Sequence, residues 1–337
     1  MNSRVAPQTP DQSAKASGRN PSHTVRTDMP GEGSGTNSLP ANVSCAEILL
    51  RGMVWLAGLG VPLVVGFLVL FLSIRGGGGV NMRLFFGDVP PLAALLGQIP
   101  VWDGIWPACV GTLSLLGLTM LLALGPGVGC GIYLVVYAPP RIKAVLGLCV
   151  DLLAGIPSIV MGLFGFTLLL MLRRVVSPHT GPSLLLASCC LALLVLPVLV
   201  STTRGALEAL PDRLWLAGAA MGLGTWGTLR HILLPAAARG MLGGMLLAAG
   251  RAAEDTAVIM LTGAVASAGL PAGLGARFEA LPFTIFYRSS QYRDAMELQQ
   301  GFAATLVLLA LSLSLLAGAS FLQKTLEQRW RGTSHAE

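Results

Sequence analysis

The chain has 337 residues, 53% of them hydrophobic and only 11% charged, with a mean hydropathy of +0.71. That composition excludes a soluble globular domain and places the chain among integral membrane proteins. The formal net charge of +6 gives no case for a nucleic-acid partner, because the basic residues are spread over loops instead of gathered on one face.

Residues 1–45 open the chain with Ser, Pro, Gly, Thr and Asn and almost no large apolar side chains. Such a segment cannot bury enough surface to fold, and it lacks the basic start, apolar core and small-residue cleavage site of a signal peptide, so it reads as a disordered cytoplasmic tail. The first span is expected over 53–74, with Arg51 at its inner end, and is long enough to cross about 30 Å of hydrocarbon. A glycine-rich turn, Gly76 to Gly79, then opens an outer connection with Asp88 and Trp102, completing a segment 46–104. The second span is expected over 105–136 and contains Gly125, Pro126, Gly127 and Gly129, where the proline frees a backbone carbonyl and bends the helix.

Arg141 and Lys143 form a short basic loop before a third span over 144–172. This span carries Asp151 and then the run AGIPSIVMGLFG at 154–165. A carboxylate and a Gly-Ile-Pro-Ser break at membrane depth are costly unless they face a cavity or another helix. Pro157 and Ser158 are therefore candidates for lining a substrate path, while Gly155, Gly162 and Gly165 read equally well as close-packing positions between helices. A fourth span follows over 183–203.

The loop 204–239 is the longest polar-flanked interruption in the second half. Leu207, Leu210, Leu214 and Ala217, then Trp226, Leu229 and Leu233, recur at helical spacing among charged residues. Gly222 and Gly224 fall between the two runs, where a glycine can end a helix and turn the chain, and Pro235 is expected to end the second run. The spacing predicts a helix-turn-helix outside the bilayer, suited either to resting on lipid headgroups or to docking a partner.

The fifth span, over 240–266, contains Arg251, Glu254, Asp255 and Thr256. Each central charge costs on the order of 3 kcal/mol to insert. Arg251 with Glu254 and Asp255 is an i, i+3, i+4 arrangement, which would place one cation and two carboxylates on a shared face. They read either as a buried structural cluster or as part of a substrate path, in which a planar guanidinium suits phosphate oxygens. After an outer loop with Arg277, Glu279, Arg288, Tyr292 and Arg293, a sixth span is expected over 301–322, with a basic cytoplasmic tail over 326–337. Basic residues favour the segments on the side of both termini, which places the loop 204–239 inside.

Chemistry on a substrate is not expected: the chain has no Gly-rich phosphate loop of the G-x-x-x-x-G-K-[ST] type, no Ser, His and Asp set in its spans and no metal-ligand spacing among its Cys and His. No catalytic, metal or cofactor site is assigned. The six cysteines, Cys45, Cys109, Cys130, Cys149, Cys189 and Cys190, nearly all fall within apolar runs and read as small buried apolar residues.

Three runs carry a resemblance. Ala217, Gly218, Gly222, Gly224, Trp226, Leu234 and Pro235 lie in a stretch similar to the cytoplasmic E-A-A, Gly, I-x-L-P signature of ABC importer permeases, with Leu216 where that family has Glu. The run LLAGIPSIVMGLFG, and Arg251 to Ala257 against A-R-A-x-G-E-T-A-P, resemble the phosphate branch of those permeases, of PstA type. The resemblance implies an all-α membrane protein with about six transmembrane helices in the type I, MetI-like importer fold, its permease domain over 105–325. It further implies a coupling loop that docks an ATPase, a substrate path near Arg251, a bacterial inner-membrane location, and ATP used by a partner instead of bound here. The partners it implies are a second permease chain (PstC type), an ATPase dimer (PstB type), a periplasmic phosphate-binding protein (PstS type) and membrane lipid. Two rival readings stay open, a permease for another oxyanion such as sulfate, molybdate or phosphonate, and an ion-coupled carrier in which Asp151, Glu254 and Asp255 form a cation path.

Overall fold

The computed structural model describes residues 45–95, 99, 101–175, 178 and 181–332. The expected N-terminal tail, up to residue 44, and the last five residues of the C-terminal tail lie outside the described residues. The described residues are helical, with no strand and one isolated bridge between Ala264 and Phe278. Six helices are long and apolar enough to cross a membrane, as the hydropathy pattern requires.

The chain divides into two units, Met1–Val61 and Pro62–Glu337. In the first, the described residues are the opening turns of α1 (Cys45–Gly76), whose apolar side chains, Trp55 and Leu56 among them, are exposed. In the second, α1 ends in a 3-10 turn, Gly77–Gly79. A Cβ on Gly76 would lie 2.8 Å from the backbone of Phe302, so only glycine admits this approach. Two short helices, α2 (Met82–Phe86) and α3 (Pro91–Leu95), lead to α4 (Trp106–Val136), α5 (Pro140–Ala154), α6 (Ser158–Val175) and α7 (Leu184–Glu208). Then come α8 (Arg213–Ala220), α9 (Thr225–Thr228), a π turn (Leu229–Leu233), α10 (Leu234–Glu254), α11 (Thr256–Thr262), α12 (Leu281–Ser290) and α13 (Ala295–Gly332).

Helix α7 forms the centre, with Leu191, Val195, Leu199 and Val200 buried. Small residues let its neighbours close on it. Gly127 and Gly131 of α4 lie over Leu199 and Thr203, and Gly240 and Gly244 of α10 lie over Ala206 and Thr202. The Ser183 hydroxyl starts α7 by accepting a hydrogen bond from the Leu186 amide.

Four sequence expectations need correction. The third span, expected over 144–172, is shorter: the expected break at Pro157, which has no N–H to continue a helix, leaves α5 as a separate helix and only α6, Ser158–Val175, long and apolar enough to cross. The fifth is likewise broken, at Asp255, whose backbone is extended (φ −76°, ψ 107°). Pro235 does not end a helix. It sits at the second position of α10, where its missing N–H is tolerated, and the wider π turn just before it carries the chain in without a break. Finally, Cys149 and Cys189, expected to be buried, are exposed at the surface of the chain, because each lies on the outward face of its helix.

Candidate functional site

The loop 204–239 folds as a closely packed bracket of short helices at the start of α10. Gly222 has φ +71°, a left-handed conformation that turns the chain after α8, and the Leu223 amide closes the turn onto the Gly218 carbonyl at 3.0 Å. Gly218 is buried against Thr228, so closely that a Cβ at 218 would overlap the Thr228 side chain. Leu207, Leu229, Leu233, Ala237 and Met241 form the core beneath, with Leu210, Leu214 and Trp215 against it. Outward, the bracket presents Leu216, Met221 and Trp226, exposed by 69%, 72% and 61%. The expected loop residues thus separate. Ala217, Gly222, Gly224 and Trp226 lie on the outer surface, Gly218 lies inside, and Leu234 and Pro235 are half-buried at the start of α10. Met221 and Thr228 were missed, since a lone Met in a turn and a Thr within a short helix give no signal of their own.

Glu208, at the end of α7, holds the loop's base to the neighbouring helix. It accepts from Lys143 Nζ at 2.9 Å and from Arg204 Nε at 3.1 Å. All three side chains are more than a third exposed, and such pairs stabilise by about 0.2–1 kcal/mol. Lys143→Ala is expected to lower the melting temperature of the purified protein in detergent by no more than a few degrees.

The second cluster lies where α6 and α11 begin. A Cβ at Gly162 would come within 3.0 Å of the Ala257 carbonyl and 3.3 Å of Val258 Cα, while Gly165 abuts Thr262 and Cys190. The contacts advance along both helices together, so α6 and α11 run parallel. Pro157 and Ser158 stand at the start of α6, and Asp255 and Thr256 at the start of α11. Filling the contact with Gly165→Leu is expected to destabilise the fold by about 1–3 kcal/mol, read as a lower midpoint of thermal unfolding.

The charges are not arranged as the spacing suggested. Asp255 is 8% exposed and accepts from the Val258 amide at 2.8 Å, capping α11. It therefore leaves the helix that carries Arg251 and Glu254, and the shared face of three charges does not form. Among the described residues no ion pair joins Arg251 to Glu254 or Asp255, and both Arg251 and Glu254 are exposed at the surface of the chain. Asp151 is exposed too, in the last turn of α5 before the Pro157 break. This leaves a guanidinium and a carboxylate facing out of the chain beside two interrupted helices.

A cavity of about 560 Å³ lies at the other end of the unit, between the segment before α4, the α11–α12 connection, α12 and α13. Glu279, 5% exposed, accepts from the Gly269 amide at 2.9 Å, and Arg288 donates to Gln300 Oε1 and to the Asp103 carbonyl, both at 3.1 Å. Burial raises the Glu279 pKa, against the lowering pull of backbone amides at 269 and 268 and of the Arg288 charge. A carboxyl raised on folding favours the native state at pH below its unfolded value and disfavours it as pH rises through the folded value. Glu279→Gln, which keeps the acceptor for Gly269, is accordingly expected to raise thermal stability at pH 7 and to lose that advantage below about pH 4, near the unperturbed glutamate value.

Residues 127–332 match the family described as "binding-protein-dependent transport system inner membrane component". The chain is 33% identical over 216 residues to a Mycobacterium tuberculosis (strain CDC 1551 / Oshkosh) protein named phosphate transport system permease protein PstA 1, covering 64% of this chain and 69% of that one. It is 29% identical over 241 residues to phosphate transport system permease protein PstC 1 of Mycobacterium tuberculosis (strain ATCC 25618 / H37Rv), covering 65% and 70%. Among solved structures, an inward-facing form of the MetNI methionine ABC transporter superposes with TM-score 0.51 at 18% identity, over 71% of this chain and 99% of that one. That likeness is one of fold, and it bears out the six-helix MetI-like expectation.

Proposed function

Given that the chain belongs to the binding-protein-dependent transport system inner membrane components, we propose that it is the permease subunit of an ATP-driven importer of inorganic phosphate. It forms one half of the translocation path in the inner membrane, and a PstC-type permease forms the other. ATP is hydrolysed by a separate PstB-type dimer, and a periplasmic PstS-type protein delivers the phosphate. The observation that carries the reading is Arg251, exposed at the surface of the chain one turn before α10 gives way to α11. Its fork of donors matches phosphate oxygens and stays charged at any physiological pH.

The chain's parts then have distinct tasks. The exposed Leu216, Met221 and Trp226 offer apolar surface to the ATPase, and the packing of Gly218 on Thr228 makes the bracket stiff enough to pass a displacement to α10. Since α10 continues from that bracket to Glu254, a push at one end moves Arg251 at the other. Asp255 fixes the start of α11 instead of meeting the anion, and Ser158 and Thr256, each half-buried at the first residue of its helix, are proposed to add hydroxyls to the path.

The test is uptake of radiolabelled phosphate by phosphate-starved cells lacking this chain, with and without the intact chain restored, in excess unlabelled sulfate. Uptake that vanishes on deletion, returns with the chain and ignores sulfate is the expected result. Uptake suppressed by sulfate would assign the path to another oxyanion.

A further inference from the structure

Helix α5 is a short rod between two proline breaks. It opens on Pro139 and Pro140, and Gly155, Ile156 and Pro157 follow its last turn. Of its 15 residues only Val150 is buried, against Leu134 of α4 and Val200 of α7. Val145, Leu148 and Leu152 are exposed. Among the described residues, the polar contacts between this rod and the bundle gather at the end of α7 next to the bracket. Lys143 Nζ donates to Glu208 Oε1 at 2.9 Å, and Arg204 Nε donates to the same oxygen at 3.1 Å. A Cβ at Gly147 would come within 3.9 Å of Arg204 Nη1. Positions 143 and 147 of one helix thus face 208 and 204 of the other, one turn apart on each, and the two helices run antiparallel.

That meeting point belongs to the bracket as well. Leu207, the neighbour of Glu208, is 2% exposed and packs with Leu229, Leu233 and Ala237 in the core beneath α8 and α9. A movement of the bracket therefore carries Glu208 with it. At its other end α5 hands the chain to Pro157 and Ser158, the residues assigned above to the path. Lys143 stands about 10 Å along the helix from Val150, at about 1.5 Å per residue, so a rod resting on Val150 converts a shift at its first turn into a shift at its last. The tether also suits a part that has to let go. All three charged side chains are more than a third exposed, and pairs so placed hold weakly. When Lys143 leaves, Glu208 keeps Arg204, its i, i+4 neighbour on α7, so the carboxylate is never without a cation.

We propose that Glu208 is a positioning residue for transport: through Lys143 it ties α5 to the bracket, so that a displacement of the bracket by its ATPase reaches Pro157 and Ser158 as well as Arg251. The inference rests on the permease reading above. It gives the bracket two outputs. One runs along α10 by direct continuation of the chain, and the other crosses the bridge to α5. Only the second can be released and remade without unwinding a helix. Its requirement is a pair of opposite charges at 143 and 208, whichever helix carries which, and a role in packing alone would not have that property.

The test uses the assembled transporter in vesicles, supplied with ATP and the phosphate-loaded binding protein, and reads the phosphate moved per ATP hydrolysed. Lys143→Glu should lower that ratio about 3- to 30-fold, the range over which residues linking two sites alter their coupling, with the thermal midpoint shifted by no more than a few degrees. Lys143→Ala, which removes the cation without adding a repulsion, should lower it less. The charge swap, Lys143→Glu with Glu208→Lys, should recover most of the ratio that either change alone loses. Movement of α5 is read separately, from the rate at which a small maleimide labels Ala154→Cys in a chain with Cys149 and Cys189 changed to serine. That rate should shift when ATP and loaded binding protein are added, stop shifting in Lys143→Glu, and shift again in the swap. An unchanged ratio in Lys143→Glu would overturn the relay, as would a swap no better than the single changes or a labelling response indifferent to the bridge. Phosphate uptake that needs the chain but ignores the bridge would leave the permease reading standing and remove the relay; labelling that follows ATP through the bridge, in a chain whose deletion spares phosphate uptake, would do the reverse.

Discussion

Arg251→Ala is expected to lower phosphate uptake about 10- to 100-fold while the amount of chain in the membrane stays unchanged. A hydrogen bond to a charged group contributes about 1.5–3 kcal/mol, and each 1.4 kcal/mol is a factor of ten. The side chain is exposed and contributes nothing to the chain's own core, so its loss subtracts binding without subtracting fold. Arg251→Lys retains the charge but not the planar fork and should recover only part of the uptake. Asp255→Asn gives a useful contrast. Asparagine keeps an acceptor for the Val258 amide, so the cap on α11 survives and uptake should fall far less than with alanine at 251. Wild-type uptake by Arg251→Ala would remove the guanidinium from the path.

The contrast between those two residues also marks what the sequence could reveal. Six spans were legible because apolar runs long enough to cross a bilayer leave few alternatives. The turn at Gly222 was legible because two amphipathic runs met at a residue able to adopt positive φ. What misled was helical periodicity carried across a break. Counting i, i+3 and i+4 assumes one continuous helix, and Asp255 ends α10 to cap α11, so its carboxylate leaves the face of Arg251. Pro235 misled in the opposite sense, since a proline is as much at home in a helix's first turn as after its end, and which applies depends on the π turn before it. The outer cavity was illegible because its lining comes from segments as far apart in sequence as Asp103, Glu279 and Gln300.

The loop should prove as sensitive as the path, although it touches no substrate. In Gly218→Ala the added methyl would overlap Thr228, and forcing one carbon into such a contact costs about 1–3 kcal/mol. The strain has to be relieved by parting α8 from α9, which shifts Leu216, Met221 and Trp226 relative to one another. A surface meant to seat in a rigid partner tolerates such a shift poorly. Phosphate uptake is therefore expected to fall about tenfold or more, with Arg251 untouched and with ATP hydrolysis by the partner dimer no longer stimulated by the loaded binding protein. Thr228→Ala in the same chain removes the hydroxyl and methyl that obstruct the new side chain and should restore much of both activities, a coupling that residues acting independently would not show. If Gly218→Ala transported normally, or if Thr228→Ala worsened it additively, the stiffness of the bracket would play no part in passing motion from the ATPase to α10.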